Sequence, residues 1–257
     1  MRDGGLREAL TIGEREVVAF VGAGGKTTAM FRVARELRAA GAAVVVTTTT
    51  KILVPPPSTD LEVITEADDH DALSAVRTAL ASGHVPVVAH AVIPGDKLGG
   101  IGADRVAELA AIHEVTHVLV EADGAARRSF KAPRADEPVI PASATIVVPV
   151  VGIDALGEPL SERVAHRPEE VAALTGLAPG DRLTASAIAR VMLGAGGNTR
   201  GAPHGARIVP LVNKVDTPER VAAAHDLAAE LRRCGAERVV IAALEAERPI
   251  VEIWSSR

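Results

Sequence analysis

The sequence predicts an α/β fold of three layers, with a mostly parallel sheet covered by helices on both faces. Two observations carry this. Short β-branched runs alternate with longer segments of helical period along the 257 residues. The runs are apolar on both faces, which a strand requires only when both sides of its sheet are covered.

Residues 17–21, Val-Val-Ala-Phe-Val, read as the first buried strand. Residues 27–40 read as a helix because Met30, Val33, Ala34 and Leu37 recur at helical spacing, and Gly41 ends it. A strand at 43–46 follows, then a helix at 71–81, a strand at 85–89, a helix at 103–112 and a strand at 117–120. Residues 144–151 form a continuous apolar strand, and 208–212 and 239–242 are the last strands expected, with a helix at 218–233 between them. Residues 152–205 break the alternation with Pro159, Pro168, Pro179 and Pro203. They read as a helical insert within a single domain spanning 1–257. Helical pieces are expected at 169–174 and 184–193, and a mobile loop at 194–201.

Composition narrows the function. A net charge of −5 argues against a general nucleic-acid binder, which needs clustered positive charge. Aromatic residues make up 2% of the chain, so bases cannot stack on aromatic platforms on any scale. Cys234 is the single cysteine, which points to a reducing compartment. The start, Met1-Arg2-Asp3-Gly4-Gly5, lacks the apolar core of a secretion signal, and no run is long enough to span a membrane. The expectation is a soluble, cytoplasmic protein.

The first strand runs into Gly22-Ala23-Gly24-Gly25-Lys26-Thr27-Thr28, and a helix begins there. This strand–glycine loop–helix order is what a P-loop needs. Glycines let backbone N–H groups approach phosphate, and the helix end adds partial positive charge. Lys26 is expected to reach the terminal phosphates, and the Thr27 hydroxyl to ligate Mg²⁺. Phe20 stands where the usual pattern has its first glycine, and Thr27 stands where a dinucleotide loop has its third.

The strand at 117–120 ends in Glu121-Ala122-Asp123-Gly124. Carboxylates at the carboxyl end of a parallel strand sit beside the ligand crevice. Glu121 and Asp123 alternate onto one face and can hold Mg²⁺ or orient an attacking group; a turn or cap role for Asp123 is the alternative. Arg127, Arg128 and Lys131 follow as a basic cluster facing the γ-phosphate, an anionic second substrate or solvent.

Asn213-Lys214-Val215-Asp216 follows the strand at 208–212 and resembles the guanine-recognition motif of GTPases. In that reading Asp216 accepts two hydrogen bonds from guanine, the Lys214 stem packs along the base, and Asn213 braces the loop. Helix capping by Asp216 or Thr217 ahead of Pro218 is the alternative. Thr47, Thr48, Thr49, Thr50 and Lys51 end the second strand and can face the crevice, while Asp96-Lys97-Leu98-Gly99-Gly100 can close over it. His113 and His117 do not share a helical face, and His166-Arg167-Pro168 reads first as a helix start.

These segments in order, together with Lys131-Ala132-Pro133, Glu137-Pro138-Val139-Ile140-Pro141 and Gly152-Ile153-Asp154-Ala155-Leu156-Gly157, resemble the YqeC-type family across almost the whole chain. That family is described as an accessory of selenium-dependent molybdenum hydroxylases, linked to selenium-cofactor biosynthesis. The resemblance implies a P-loop NTPase fold, a nucleoside triphosphate (GTP or ATP) with Mg²⁺, and a molybdenum hydroxylase or its cofactor as partner. The loop from Gly22 to Thr28 also looks like that of Mur-type, ATP-dependent amide ligases. Those usually carry a further C-terminal domain, for which little chain remains after Val240.

Overall fold

The computed structural model describes residues 4–67 and 71–255. Met1, Arg2 and Asp3, part of the segment read for a secretion signal, lie outside the described residues. In chain order the strands are β1 (Glu16–Gly22), β2 (Val44–Thr48), β3 (Lys51–Leu53), β4 (Leu61–Thr65), β5 (Val85–Ala89), β6 (Val92–Ile93), β7 (Lys97–Gly99), β8 (His117–Glu121), β9 (Phe130–Lys131), β10 (Ile146–Gly152), β11 (Ala165–His166), β12 (Arg207–Ile208), β13 (Leu211–Asn213), β14 (Arg238–Ala242) and β15 (Ile250–Ser255). The helices are α1 (Leu6–Ala9), α2 (Lys26–Ala39), α3 (Ala72–Ala81), α4 (Ala103–Ala111), α5 (Pro168–Thr175), α6 (Ala185–Leu193) and α7 (Pro218–Arg233).

The main sheet runs β15-β14-β13-β10-β1-β8-β2-β5-β4, with β12 also on β10. Every pairing in it is parallel except β14 with β15. Alternate residues of β1 explain the three layers. Val18 and Phe20 face one side and join Met30, Val33 and Leu37 of α2 and Leu6 of α1. Val17, Ala19 and Val21 face the other side, among Val76 of α3 and Val106 and Leu109 of α4. Further along that second side, α6 and α7 bury Ile188, Leu227 and Leu231 against Val212, Val239 and Ile241. The side chains on both faces are buried, and their burial supplies the main driving force for folding.

The strand expected at 208–212 is two pieces, because Val209-Pro210 interrupts it. Proline has no N–H to give a ladder, although the Pro210 carbonyl still accepts from the Val240 N–H. The loop at 194–201 is pinned rather than loose: Asn198 N–H donates to Val191 O, the Asn198 side chain is buried, and the Arg200 guanidinium donates to the carbonyls of Arg134, Ala135 and Glu137. No helix among the described residues is long and apolar enough to cross a membrane.

β1 stands at the centre of the sheet between β8 and β10. The loop after β1, the acids that end β8 and the turn after β13 therefore open at the same carboxyl edge.

Candidate nucleotide site

Gly22, Gly24 and Gly25 have φ of 88°, 83° and 134°, a region that favours glycine. Space demands glycine as well. A Cβ on Gly24 would stand 2.1 Å from the Gly152 nitrogen, and one on Gly25 would stand 2.3 Å from Nδ2 of Asn213. Phe20 is buried in the core of β1, so the loop is shorter than the usual P-loop and is built from Ala23-Gly24-Gly25. α2 starts at Lys26 directly after it.

Under this loop lies a compact charge cluster. Lys26 is buried, and its Nζ donates to Gly22 O at 2.6 Å. The same ammonium lies 2.9 Å from Asp123 Oδ1 and 3.7 Å from Glu121 Oε1. Thr27 Oγ1 donates to Glu121 Oε2 at 2.7 Å. Asp123 Oδ2 accepts the Gly22 N–H at 2.9 Å and lies 3.1 Å from Lys131 Nζ. Lys131 in turn pairs with Glu137 at 2.8 Å, and Glu137 pairs with Arg167. The order Lys26–Asp123–Lys131–Glu137–Arg167 alternates in sign, which is how charges are tolerated in a low-dielectric interior.

The cluster sets proton affinities. Burial pushes Lys26 down, but Asp123 and Glu121 together outweigh it and hold its ammonium above the usual lysine range. Burial pushes the Glu121 carboxyl up, and Lys26 and Thr27 only partly oppose that. Both shifts are upward, which favours the charged form of Lys26 and the neutral form of Glu121; Lys26 sits 2.9 Å from Asp123 but 3.7 Å from Glu121. Glu137 is held at about 2: burial raises it, but Arg167 and Lys131 overcome this. His166 is lowered by burial and then by Arg167 and Lys131.

A crevice of about 1170 Å³ runs across the carboxyl edge. Gly24, Gly25, Lys26, Thr27, Thr28 and Glu121 form its floor. Arg127, Arg128, Lys51 and His166 line it, as do Asn213, Lys214, Asp216 and Leu244. The structure therefore brings together most of the residues singled out from sequence. Asp123 and Lys131 differ: both side chains are fully buried. Lys131 stands beneath the crevice rather than on its wall, because Asp123, Glu137 and the Gly124 carbonyl engage its ammonium.

The late turn also departs from expectation in detail. Asn213 does brace the loop, donating to Gly24 O at 2.8 Å and accepting from Leu244 N–H at 3.0 Å. Lys214 Nζ turns to Asp154 Oδ2 and Ser129 Oγ, at 2.9 and 2.7 Å. Thr217, not Asp216, caps α7, with Pro218 next. Asp216 Oδ1 lies 2.5 Å from Arg220. The hydroxyls of Thr47, Thr48 and Thr49 donate to the carbonyls of Val88, Glu121 and Val139, which leaves Thr50 to line the crevice. Sequence reasoning assigned no role to Glu137, Asp154 or Leu244. Glu137 carries a usable signal, an acid before proline six residues after a lysine; Leu244 carries none, since its N–H is what matters.

A second cavity of about 660 Å³ lies at the opposite, amino edge, lined by Thr11, Arg207, Cys234 and Arg238. Arg207 is engaged by Glu16 and Thr11, and Arg238 donates to the Ala9 carbonyl.

The family model described as "YqeC protein" matches residues 18–169, which take in the glycine loop, the acidic turn and the Lys131–Glu137–Arg167 chain. The chain belongs to the YqeC family. It is 29% identical to the protein named "Uncharacterized protein YqeC" of Escherichia coli (strain K12), over 91% of this chain and 90% of that one. The Asn213–Asp216 turn lies beyond the span that the family model matches.

Proposed function

We infer that this YqeC-family chain is a Mg²⁺-dependent P-loop nucleoside-triphosphatase, with GTP favoured, acting in the selenium and molybdenum cofactor maturation of a molybdenum hydroxylase. The observation that supports it best is the Thr27–Glu121 contact at 2.7 Å beside Lys26, under a loop whose glycines leave no room for side chains. The N–H groups of Gly22, Ala23 and Gly24 are taken by Asp123, Val150 O and Arg128 O, so the anion site is made by the N–H groups at the start of α2, which the glycines leave open to approach. Thr27 Oγ1 and Glu121 Oε2 form an oxygen pair suited to Mg²⁺, which usually takes one or two protein oxygens besides phosphate and water. When bound, the ion would neutralise charge on the phosphates.

The residues divide the work. Glu121 lines the crevice and is the acid with room to hold the ion or to take a proton from an attacking group. Asp123 is bound on both sides by lysines and by the Gly22 N–H, so it positions Lys26 and the loop rather than meeting ligand. Lys26 is poised one hydrogen bond from the loop backbone and moves to phosphate when one enters. Asp216 reads the base and Asn213 ties base end to phosphate end. The partner and selenium roles rest on the family resemblance alone.

A screen of nucleotides by thermal shift, with and without Mg²⁺, tests the reading directly. Triphosphates should raise the melting temperature in a Mg²⁺-dependent way. Lys26→Ala should bind at least tenfold more weakly, since a charge-assisted contact contributes about 1.5–3 kcal/mol. Glu121→Gln should lose turnover far more than nucleotide affinity. A Lys26→Ala protein that folds and binds triphosphate as tightly as wild type would show the reading to be wrong. ATP preferred over GTP, with amide-bond formation, would point instead to the ligase-like alternative.

A further inference from the structure

The crevice extends past the phosphate loop onto a wall of its own, the small antiparallel sheet β3-β7-β6. This wall is fastened to the acidic strand. Gly100 backs onto the Thr49–Thr50 peptide so closely that a Cβ would stand 2.4 Å from the Thr49 carbonyl carbon. Ile101 N–H donates to Thr48 O at 2.9 Å, and Thr48 Oγ1 donates to Glu121 O at 2.8 Å. One side of the sheet buries Ile52 and Leu98. The other side carries Lys51, Leu53 and Lys97: Leu53 lies opposite Lys97 in register, and Lys51 is two residues along the same strand. Residues so placed share a face, and all three line the crevice.

Arg127 and Arg128 line the same crevice, on a turn where Ala126 and Arg127 have φ of 45° and 59°. Among the described residues, the side chains of Lys51, Lys97, Arg127 and Arg128 have no ion pair or hydrogen bond. The other cations of the crevice are matched: Lys26 by Asp123, Arg134 by Asp136, Arg167 by Glu137, Lys214 by Asp154 and Arg220 by Asp216. Four unmatched positive charges thus face one concavity of a protein whose net charge is −5. Among the acids of the lining, Glu121, Glu137 and Asp216 are paired and Glu245 is not, so positive charge is in excess, and a cleft with an excess of one sign concentrates ions of the other.

Resting on the nucleotide reading above, we propose that the β3-β7 wall, through Lys51 and Lys97 with Arg127 and Arg128 opposite, binds the second substrate, a small polyanion carrying phosphate or carboxylate groups. The wall is separate from the phosphate loop, so nucleotide and polyanion bind together.

Titration calorimetry tests this on the full chain saturated with a non-hydrolysable triphosphate and excess Mg²⁺, with pyrophosphate and succinate as probes. Wild type should bind at least one probe, and affinity should fall steeply with salt. Pyrophosphate alone would identify a phosphate ligand, and succinate alone a carboxylate. Lys51→Ala/Lys97→Ala should weaken the bound probe at least tenfold and leave triphosphate affinity within about twofold, which also shows that the variant is folded. Unchanged probe binding in the double variant overturns the proposal, as does absence of probe binding to wild type. An equal loss of triphosphate affinity overturns it too, by assigning the lysines to the nucleotide. If wild type binds no triphosphate yet binds a probe through Lys51 and Lys97, the nucleotide reading fails and the anion site stands.

Discussion

Asn213 Nδ2 donates to the carbonyl of Gly24 across 2.8 Å, so the turn that ends β13 holds the glycine loop that follows β1. The Asn213 carbonyl oxygen also accepts from Leu244 N–H. One buried amide thus joins three loops of the carboxyl edge. Asn213→Ala would leave the Leu244 N–H and the Gly24 carbonyl without this partner. The expected cost is about 1–3 kcal/mol of stability, together with weaker triphosphate binding, measurable by urea unfolding and by titration of the same sample. Loss of stability without loss of affinity would mean that the brace serves the fold alone.

Gly24 and Gly157 share nearly the same φ, 83° and 79°, but not the same surroundings. A Cβ on Gly24 would collide with Gly152 backbone at 2.1 Å, whereas one on Gly157 would meet nothing within 4 Å. Gly157→Ala should therefore cost only the left-handed backbone penalty, about 1–2 kcal/mol. Gly24→Ala must also move β10 or the loop, and should cost at least twice as much and abolish triphosphate binding. Paired denaturation curves of the two variants decide this; equal costs would mean that the loop yields freely.

The contrast between what sequence did and did not disclose follows from contact order. β1, β5 and β8 are buried on both faces and announced themselves as unbroken apolar runs. β3 has a single buried residue between two exposed ones, and β6 and β7 have two and three residues, too short for any period to register. β15 is an antiparallel edge strand with mixed burial, so it reads like a tail. At the site, Lys26, Thr27 and Glu121 were legible because a local strand–loop–helix pattern and a strand end locate them. The pairing of Glu137 with Arg167 joins residues 30 apart, and that of Lys214 with Asp154 joins residues 60 apart. Nothing local encodes such pairs. The burial of Lys131 was hidden for another reason: its partners Asp123, Gly124 and Glu137 are near in sequence, but only the fold places them beneath the crevice.

Glu137 gives a pH signature. Its carboxyl is held at about 2 against an ordinary 4.5, so the unfolded chain takes up the proton first as pH falls. Its contribution to stability is then complete above about pH 5, declines from pH 4.5 towards 2, and vanishes below. The difference amounts to roughly 3 kcal/mol at neutral pH. Glu137→Gln mimics the protonated acid. It should be less stable than wild type at pH 7 by about that amount, with the two proteins converging as pH approaches 2. Urea midpoints measured across this range would show the convergence. A constant gap would mean that the loss comes from packing rather than charge.

Asp216 carries the most specific prediction. Its loop follows β13, two strands from β1, at the far end of the crevice from Lys51. Thr217 supplies the cap of α7, so Asp216 is not needed there. Its present partner is Arg220, one helical turn on, and the Asp216 side chain is more than half exposed. An exposed pair of this kind contributes less than about 1 kcal/mol, so a base edge can displace it. A carboxylate accepting two hydrogen bonds from guanine discriminates against adenine by about 1–3 kcal/mol, or roughly ten- to a hundredfold. Wild type should therefore bind GTP more tightly than ATP by that margin. Asp216→Asn should lose the preference and gain affinity for xanthosine triphosphate, whose 2-oxo group accepts from the new amide. Arg220→Ala frees the carboxylate and should leave the GTP preference intact or sharpen it. Competition titrations with the three triphosphates give all these ratios. Equal affinity of wild type for ATP and GTP would leave Asp216 as nothing more than the surface partner of Arg220.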